Sequence, residues 1–212
     1  MRLYPLSLKL AGKPCVVVGG GKVAERKVVS LLECEAAVTV VSPETVPALE
    51  ERAARGEIRL VRRAFQPEDV AGACVVIAAT SDRAVNEAVV QAAHESGALV
   101  NVVDVPDLCD FYVPACVNRG SLQVTVSTSG AFPLLSKRLR QELEALFAPE
   151  YEAYLELLCR LRKELKARAP EFRQRVQAEA DFLNSPAWAY LRQGKPEEAE
   201  RVLTECLLRF PA

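Results

Sequence analysis

Three glycines behind an apolar strand are the residues of this chain whose types and spacing point most directly to chemistry. The segment from Cys15 to Lys27 reads CVVVGGGKVAERK, a strand that runs into the glycines and then into a helix. Gly19 suits the tight turn, Gly21 lets the backbone approach a pyrophosphate, and Ala24 fills the third small position of G-x-G-x-x-G/A. The free N–H groups of a helix that starts near Lys22 would hold the phosphates. The segment therefore predicts a dinucleotide-binding turn, which we favour over a glycine-rich turn without a ligand.

The elements that must position this turn follow from periodicity. Apolar runs predict strands at 37–41 (AVTVV), 58–61, 74–79 (CVVIAA) and 99–103 (LVNVV), and an apolar stripe predicts a helix over 83–96. Continuous apolar strands that alternate with helices indicate a parallel sheet covered on both faces, with ligands beyond the carboxyl ends of the strands. Thr80, Ser81 and Asp104 follow such ends. The first half of the chain is therefore predicted to be an α/β domain with a Rossmann-like parallel sheet.

The end of the second strand bears on the choice of cofactor. A nicotinamide enzyme usually carries an acidic residue there for the adenine ribose, but this chain reads Val41, Ser42, Pro43, Glu44. Ser42 or Glu44 could take over that contact, although Glu44 can also be read as a solvated loop charge. Neither Lys nor Arg stands there for a 2′-phosphate, so NAD is favoured over NADP. The predicted cofactor-binding residues are Gly19, Gly20, Gly21, Lys22, Val23, Ala24, Ser42, Pro43, Glu44, Ala79 and Thr80.

Composition limits the class of protein. The chain has 212 residues, half of them apolar, and 27 Lys plus Arg against 28 Asp plus Glu. That balance gives no electrostatic reason to expect nucleic acid or an anionic membrane surface as a partner. The longest apolar runs are far shorter than a bilayer span, and residues 1–10 lack the apolar core of a signal peptide. We expect a globular, cytoplasmic protein.

The cysteines and the single histidine are not predicted to do chemistry. Seven cysteines, an odd number without a C-x-x-C pair, suggest reduced and mostly buried thiols. Cys109 and Cys116 are interpreted as packing residues rather than as a metal or redox pair, because no His or Cys partner stands at zinc spacing. His94 lies among polar neighbours on a predicted helix, which favours a solvated face. No metal site is predicted.

From Leu122 the pattern changes to the alternation LQVTVS, followed by a polar loop at 127–130 and a helix that Pro133 opens. Four leucines of that helix should share one face. Three basic residues lie near the start of this helix, and hydroxyl groups and free N–H groups precede them in the chain. They are Lys137, Arg138 and Arg140. This corner fits a carboxylate-rich ligand and, equally well, an ordinary capped helix with an exposed basic face. The four leucines are Leu135, Leu139, Leu143 and Leu146.

The tail from Glu150 is helical in pattern, with an apolar stripe that Ala169 and Pro170 interrupt. Ser185-Pro186 and Gly194 separate later helices, and Pro196 opens the last one. The stripe can pack back on the nucleotide domain or pair with a second subunit. Its members are Tyr151, Tyr154, Leu155, Leu158, Leu161 and Leu165.

Four segments together resemble a known family. They are YPLSLKLAGKPCVVVGGGKVAERK, the IAATSD loop at 77–82, NVVDVPDLCDFYVPACVNRG at 101–120, and VSTSGAFPLLSKRLRQELE. In this order they resemble precorrin-2 dehydrogenase, the NAD-dependent domain of sirohaem synthase, which also exists as a stand-alone protein. The resemblance covers about residues 1 to 165, and the tail is only loosely similar.

The resemblance implies a fold and an assembly. It implies a Rossmann domain over 1–113, a dimerisation segment over 114–148 and a helical C-terminal region over 149–212, assembled as an intertwined homodimer. The fold class expected for the whole chain is therefore α/β, with a Rossmann-like parallel sheet, then the dimerisation segment, then the helices.

The resemblance also implies a reaction, the oxidation of precorrin-2 to sirohydrochlorin by NAD. Bifunctional members go on to insert Fe²⁺, and nothing in this sequence decides whether this chain does so. The family's key aspartate matches Asp104 in NVVD, where a general base can remove the proton lost in dehydrogenation. Asp104 can also be read as a turn residue before Pro106, and the motif match leads us to favour catalysis.

Precorrin-2 carries many carboxylates, so basic and hydroxyl residues are candidate partners. The predicted substrate-binding residues are Asn101, Arg119, Ser127, Ser129, Lys137 and Arg138. Two departures from the family matter. Thr128 stands where some members have a phosphorylated serine, which makes such regulation doubtful, and the methyltransferase domain of the fused enzymes is missing, so we expect precorrin-2 to come from another enzyme.

A hypothesis from another class competes with the enzyme. The chain can be read as an NAD-sensing regulatory module with a helical dimerisation tail. The missing acid at Ser42 argues against it, because such sensors also use the ribose contact, and the NVVD and STSG segments would have no evident role.

Overall fold

The computed structural model describes residues 3–169 and 171–210, so Pro170, expected to interrupt a helix, lies outside the described residues. The chain divides into two compact units, one ending at Val113 and the other beginning at Pro114. Across the described ranges, no helix has both the length and the apolar character that a bilayer crossing requires.

The first unit is built on a parallel sheet covered by helices. Its elements are β1 (Pro14–Val18), α1 (Lys22–Glu33), β2 (Ala37–Val41), α2 (Pro47–Ala54), β3 (Arg59–Val61), β4 (Val75–Ala78), α3 (Arg83–Ser96) and β5 (Leu99–Val102), with 3-10 turns at Pro67–Val70 and Pro106–Leu108. The strand order is β3-β2-β1-β4-β5. The chain moves outward from β1 on one side and then returns to place β4 on the other, so β1 and β4 flank the point where strand order reverses.

Alternation along the buried strands divides the core between the two faces of the sheet. Val17 and Val40 join the cluster that contains Ala24 and Val28 of α1, whereas Val16 belongs to the cluster on the α3 side. The ends of α3 are set by local chemistry. Asp82 accepts hydrogen bonds from Ala84 and Val85 N–H at the N-terminus, and Gly97 closes the C-terminus with a left-handed φ of 74°. The Rossmann-like α/β class is confirmed.

The strand boundaries differ from the predicted ones by a single residue. The third strand begins at Arg59 rather than at 58, the fourth is shorter by one residue at each end, and the fifth ends at Val102. The helix over 83–96 and the second strand over 37–41 are confirmed. Ala79 and Val103, predicted as the last residues of the fourth and fifth strands, belong instead to the loops that follow β4 and β5.

In the described part of the second unit, an antiparallel hairpin is followed by five helices. Its elements are β6 (Ala115–Arg119), β7 (Leu122–Val126), α4 (Pro133–Leu146), α5 (Glu150–Arg168), α6 (Phe172–Asn184), α7 (Ala187–Arg192) and α8 (Pro196–Leu208). Leu161 and Leu165 of α5 pack with Phe182 of α6 and Leu203 of α8 in one core. The apolar stripe of α5 therefore packs within its own unit, although Leu155 and Leu158 are only partly buried.

The apolar face predicted for α4 stays open in this chain. Leu135, Leu139 and Leu146 are exposed, Leu146 at 66% of its surface, and Leu143 is only partly covered. An exposed apolar stripe of this kind usually marks a surface that binds a partner.

Within the described residues, no disulfide joins any of the cysteines. Cys15 and Cys206 are buried, but the expectation of mostly buried thiols is wrong for Cys34 and Cys159, which are exposed. Cys34 caps the end of α1, and Cys159 lies on the solvent side of α5. Burial raises the pKa of the Cys15 thiol to about 11, with a smaller contribution from the neighbouring Cys74.

Candidate active site

The glycine turn after β1 has no room for side chains at its first two positions. Gly19 has φ of +122°, and a Cβ there would lie 2.4 Å from the Ala79 carbonyl oxygen. A Cβ on Gly20 would lie 1.9 Å from the Glu44 carbonyl oxygen. The Gly20 carbonyl also accepts a hydrogen bond from Val46 N–H at 2.8 Å. These two glycines therefore let the turn pack against the loops that follow β4 and β2.

Gly21 stands in a different environment, because a Cβ built on it meets nothing within 4 Å. It is the residue before α1, whose first turn carries Lys22 and Val23 into the same open space. A helix N-terminus presents unpaired N–H groups there, and a bare backbone lets a diphosphate approach them. This cradle fits the pyrophosphate of a dinucleotide. Ala24, one position further, is fully buried against the sheet, as a small helix-packing residue should be.

The loop after β2 is held by its own hydroxyl groups. The Ser42 hydroxyl donates to the Glu44 carbonyl at 2.6 Å, and Ser42 is 7% exposed. The lone pairs of that hydroxyl remain available as acceptors for a ribose hydroxyl. The Glu44 carboxylate has no hydrogen bond in this loop, whereas Thr45 donates to Glu50. Ser42 and Pro43 therefore line the cleft, whereas Glu44 supports the turn through its backbone carbonyl.

Two arginines that the sequence analysis passed over lie beside this loop. Ser42 N–H donates to the Val61 carbonyl at 3.1 Å, which brings the end of β3 next to the end of β2. Arg62 and Arg63 follow directly. Arg62 is paired with Glu50, and Arg63 makes a two-bond contact with Asp69 at 2.6 and 2.8 Å. Asp69 therefore has its pKa lowered, chiefly by the hydrogen bond from Arg63. Sheet order was the missing signal, since it makes β2 and β3 neighbours.

The loop after β4 is ordered by a buried amide. Asn86, 6% exposed, donates to the Thr80 carbonyl at 3.1 Å and accepts from the Thr80 hydroxyl at 2.8 Å. The Thr80 hydroxyl is also 3.0 Å from the Asp82 carbonyl. Ala79 and Thr80, both predicted to bind the cofactor, are thereby fixed at the cleft. Asn86 was missed because its helix position gave no sign of this contact.

Asp104 follows β5 in a left-handed conformation, with φ of +61°. Such a conformation is uncommon for a residue with a Cβ, although aspartate adopts it more readily than most, and here it belongs to a turn that Val105 N–H closes on the Val102 carbonyl at 3.4 Å. Its side chain is exposed and lines the cleft. Asn101, predicted to bind substrate, lies apart from that lining. It is 7% exposed and donates to the Phe111 carbonyl at 2.8 Å, so its part in substrate binding stays a prediction without support from this geometry.

Lys27 of α1 is a further charged group near Asp104. The lysine is half-buried, and burial lowers its pKa, with the neighbouring Arg26 acting in the same direction. Cys109 and Asp104 act in the opposite direction by favouring the charged ammonium. Periodicity alone placed Lys27 on the inner side of α1 and gave no reason to assign it a role.

These loops enclose one cleft of about 1030 Å³ within the first unit. The glycine turn, the ends of β2 and β4 and the loop with Asp104 all contribute to it. A cleft of this size at the carboxyl ends of parallel strands, beside the point of order reversal, is where an α/β fold binds its ligands. Its polar or glycine members include Gly19, Gly20, Gly21, Lys22, Ser42, Thr80, Ser81, Asp82, Arg83, Asn86, Asp104 and Asp107.

In the second unit, hydroxyl groups tie the polar loop before α4 to the start of that helix. The Thr128 hydroxyl accepts from Phe132 N–H at 3.2 Å and lies 3.1 Å from the hydroxyl of the buried Ser136. The Ser127 hydroxyl accepts from Ser129 N–H at 3.1 Å, and Ser129 has a left-handed φ of 53°. Ser127 and Ser129 are exposed.

The three basic residues predicted to bind substrate also lie in this unit. Lys137 is exposed, and Arg138 is exposed with a contact to Glu142 at 3.1 Å. Arg119 is already engaged. Its guanidinium donates to the carbonyls of Phe147, at 2.7 Å, and of Glu144, at 3.2 Å, so it caps the end of α4. This geometry favours a structural role for Arg119, and its contact with substrate stays a prediction.

Family models match the chain in three consecutive pieces. A putative NAD(P)-binding model matches residues 6–115, a sirohaem biosynthesis central model matches 119–146, and a sirohaem synthase dimerisation model matches 151–207.

Similar proteins agree with these models. The siroheme synthase of Methylococcus capsulatus is 44% identical over 97% of this chain and 43% of its own length, and that of Methylobacillus flagellatus is 39% identical over 98% and 44%. The chain thus spans less than half of the length of these relatives. Among solved structures, the precorrin-2 dehydrogenase SirC superposes with a TM-score of 0.79 at 28% identity, over 96% of this chain and 100% of that one.

Proposed function

Since this chain belongs to the family of precorrin-2 dehydrogenase and the NAD-dependent domain of sirohaem synthase, we propose that it oxidises precorrin-2 to sirohydrochlorin with NAD. One observation carries the proposal. The cradle at Gly21 and the carboxylate of Asp104 belong to the same cleft. A hydride acceptor and a proton acceptor are thereby provided in one place, and dehydrogenation of a carbon skeleton needs both.

Each part of the cleft has its own role in the proposed reaction. The N–H groups of the first turn of α1 bind the pyrophosphate, and the Ser42 hydroxyl accepts a hydrogen bond from the adenine ribose. Asp104 removes the proton from the macrocycle as the hydride leaves it. When bound, NAD supplies the acceptor for that hydride. The balance is one precorrin-2 and one NAD⁺ converted to one sirohydrochlorin, one NADH and one proton, which Asp104 passes to solvent.

Preference for NAD over NADP is part of the proposal. The arginines nearest to the end of β2 are Arg62 and Arg63, and each is paired with a carboxylate, Glu50 or Asp69. A 2′-phosphate would have to compete with those carboxylates for the guanidinium groups. The neutral Ser42 accommodates a ribose hydroxyl without that competition.

The substrate contacts that we propose follow from the chemistry of precorrin-2 and of the exposed side chains of the second unit. Precorrin-2 bears many carboxylates, and the exposed Lys137 and Arg138 of α4 are suited to bind them. Ser127 and Ser129 offer hydroxyl and backbone donors in the loop before α4. The competing idea of an NAD-sensing module has no support from the comparisons, whose named relatives are enzymes of sirohaem synthesis.

Insertion of ferrous iron is a second reaction that we propose for the same cleft. Sirohaem contains iron, so a siroheme synthase must possess a site that inserts it, and this chain matches part of such proteins. Removal of two pyrrole protons accompanies entry of the metal, and we assign their acceptance to Asp104. In the described residues, no three His, Cys, Asp or Glu side chains form a cluster that could hold a metal ion.

We further propose a homodimer that works in the cytoplasm. The dimerisation model matched over 151–207 and the uncovered leucines of α4 support the homodimer. The described cysteines form no disulfide, which fits a chain kept in a reducing compartment.

The test is an anaerobic assay with enzymatically supplied precorrin-2 and NAD. We expect NADH and sirohydrochlorin to form in a one-to-one ratio, and NADP to support a clearly lower kcat/KM. Fe²⁺ added to purified sirohydrochlorin then reports metal insertion by the sirohaem absorbance. Absence of NADH formation from precorrin-2 would overturn the oxidation, and a rate of iron insertion equal to the protein-free control would overturn the second reaction alone.

A further inference from the structure

The loop that presents Asp104 runs along the free edge of the sheet. In a parallel strand, alternate residues point their N–H and C=O groups to opposite sides. Val103 N–H donates to the Ala78 carbonyl, which places the groups of Val100 and Val102 on the outer side of β5. Such an open edge needs partners, and this chain supplies them from the residues that follow the loop.

Asp110 covers one position of this edge. Its N–H donates to the Val100 carbonyl at 2.9 Å, and its carboxylate accepts from Val100 N–H, also at 2.9 Å. His94 of α3 lies 3.0 Å from the same carboxylate. The chain is therefore anchored behind the loop, six residues after Asp104.

Cys109 covers the next position with its sulfur. Val102 N–H donates to Cys109 Sγ at 3.2 Å, and the thiol in turn lies 3.2 Å from the Val102 carbonyl and 3.3 Å from the Val105 carbonyl. Asn101 Nδ2 approaches the sulfur at 3.5 Å. The sulfur thus contacts backbone on both sides of Asp104, two residues before it and one residue after it.

The thiol is in the right protonation state to donate. Cys109 is half-buried and packs against the core on the α3 side. Burial raises the pKa of the Cys109 thiol, although the hydrogen bond from Val102 and the charge of Lys27 oppose this. At neutral pH the sulfur therefore keeps its proton, which serves one of the two carbonyls while its lone pairs accept from Val102.

We infer that Cys109 is a positioning residue, whose thiol joins Val102 to Val105 and so holds the carboxylate of Asp104 in the cleft. The inference rests on the proposed function, since Asp104 is the general base there. The thiol adds contacts to both ends of a turn that Val105 N–H already closes on the Val102 carbonyl at 3.4 Å, with the left-handed Asp104 as its third residue. Cys109 itself does not touch the reacting atoms.

The first test compares three variants in the dehydrogenase assay. Cys109→Ala should lower kcat about fivefold to tenfold, because a positioning hydrogen bond is lost, while KM for NAD stays within about twofold. Cys109→Ser should restore most of the rate, because a hydroxyl can make the same contacts. Cys34→Ala, at an exposed cysteine of the same unit, is the control and should behave as the unaltered chain.

A double variant separates positioning from general damage. If Cys109 acts through Asp104, then adding Cys109→Ala to the Asp104→Asn variant should cause no further loss of rate. A purely structural defect would lower the residual rate by the same factor in both backgrounds, and that result would overturn the inference. A Cys109→Ala enzyme with unchanged kcat would overturn it as well.

Amide hydrogen exchange supplies a readout that does not depend on activity. Peptides that contain Val102 and Val105 should exchange faster in Cys109→Ala than in Cys109→Ser, because the Val102 N–H loses its acceptor. Equal exchange in the two variants would show that the sulfur does not hold the loop. Should the unaltered chain fail to oxidise precorrin-2, the proposed function falls, while this exchange result still judges the contact itself.

Discussion

Adjacent glycines in the turn after β1 have different physical tasks. Gly20 is required by the protein itself, because its α-carbon faces the backbone carbonyl of Glu44. A Cβ on Gly21 would meet no protein atom within 4 Å, so its lack of a side chain benefits a ligand instead. The glycine pattern in the sequence shows both residues without distinguishing them, since the neighbour of Gly20 comes from a loop more than twenty residues away.

A pair of alanine substitutions tests this division. Gly20→Ala should lower the free energy of unfolding by about 1–3 kcal/mol, because the added methyl group overlaps backbone that cannot easily move. Gly21→Ala should lower the free energy of unfolding by only about 0.5–1 kcal/mol, since alanine is a poorer N-cap than glycine, but should raise the Kd for NAD by at least about tenfold. Urea unfolding and NAD titration measure the two effects. Wild-type NAD affinity in Gly21→Ala would contradict the cradle.

Other single residues show where sequence reasoning stops. Asp104 was found because a motif carried it, and the structure adds the left-handed backbone that no pattern announces. Asn101 and Arg119 were chosen for their hydrogen-bonding chemistry, but the Phe111 carbonyl and the end of α4 already engage that chemistry. Composition reveals which groups can bind a ligand, whereas only tertiary contacts reveal which groups are already engaged.

At the scale of elements, helix α2 was not predicted, but the second to fifth strands and helix α3 of the first unit were predicted to within one residue at each end. Their apolar runs are continuous and their caps are local, so little depends on distant parts of the chain. Helix α4 is different. Periodicity correctly predicted the helix and its leucine face, but the pattern of one chain does not tell whether such a face is covered by the same chain or by another.

The α4 face supports a prediction about assembly. Leu135→Glu combined with Leu139→Glu should convert the proposed homodimer to a monomer of 23.2 kDa in sedimentation equilibrium, because two charges would be buried without partners. Gln141→Glu, on the far side of the same helix, is the control and should leave the dimer intact. A double variant that remains dimeric would assign dimerisation to 151–207, the segment matched by the dimerisation model, rather than to 114–148.

For the whole molecule, the cofactor cradle and the proposed base lie in a single unit of the chain. Both belong to loops at the carboxyl ends of one parallel sheet, and the order of strands brings together segments that are up to ninety residues apart in sequence. The arrangement therefore predicts that different residues control NAD binding and the rate of the reaction. NAD affinity should depend on the glycine turn, and turnover should depend on Asp104.

The rate of Asp104→Asn, measured beside Asp107→Asn in the anaerobic precorrin-2 assay, tests this claim most directly. We expect Asp104→Asn to lose at least about a hundredfold in kcat, as removal of a general base does, with its Kd for NAD within about twofold of the unaltered chain. Asp107→Asn removes the same charge three residues further along the loop and should keep most of the activity. Turnover by Asp104→Asn at the unaltered rate would contradict the assignment of Asp104 as the base.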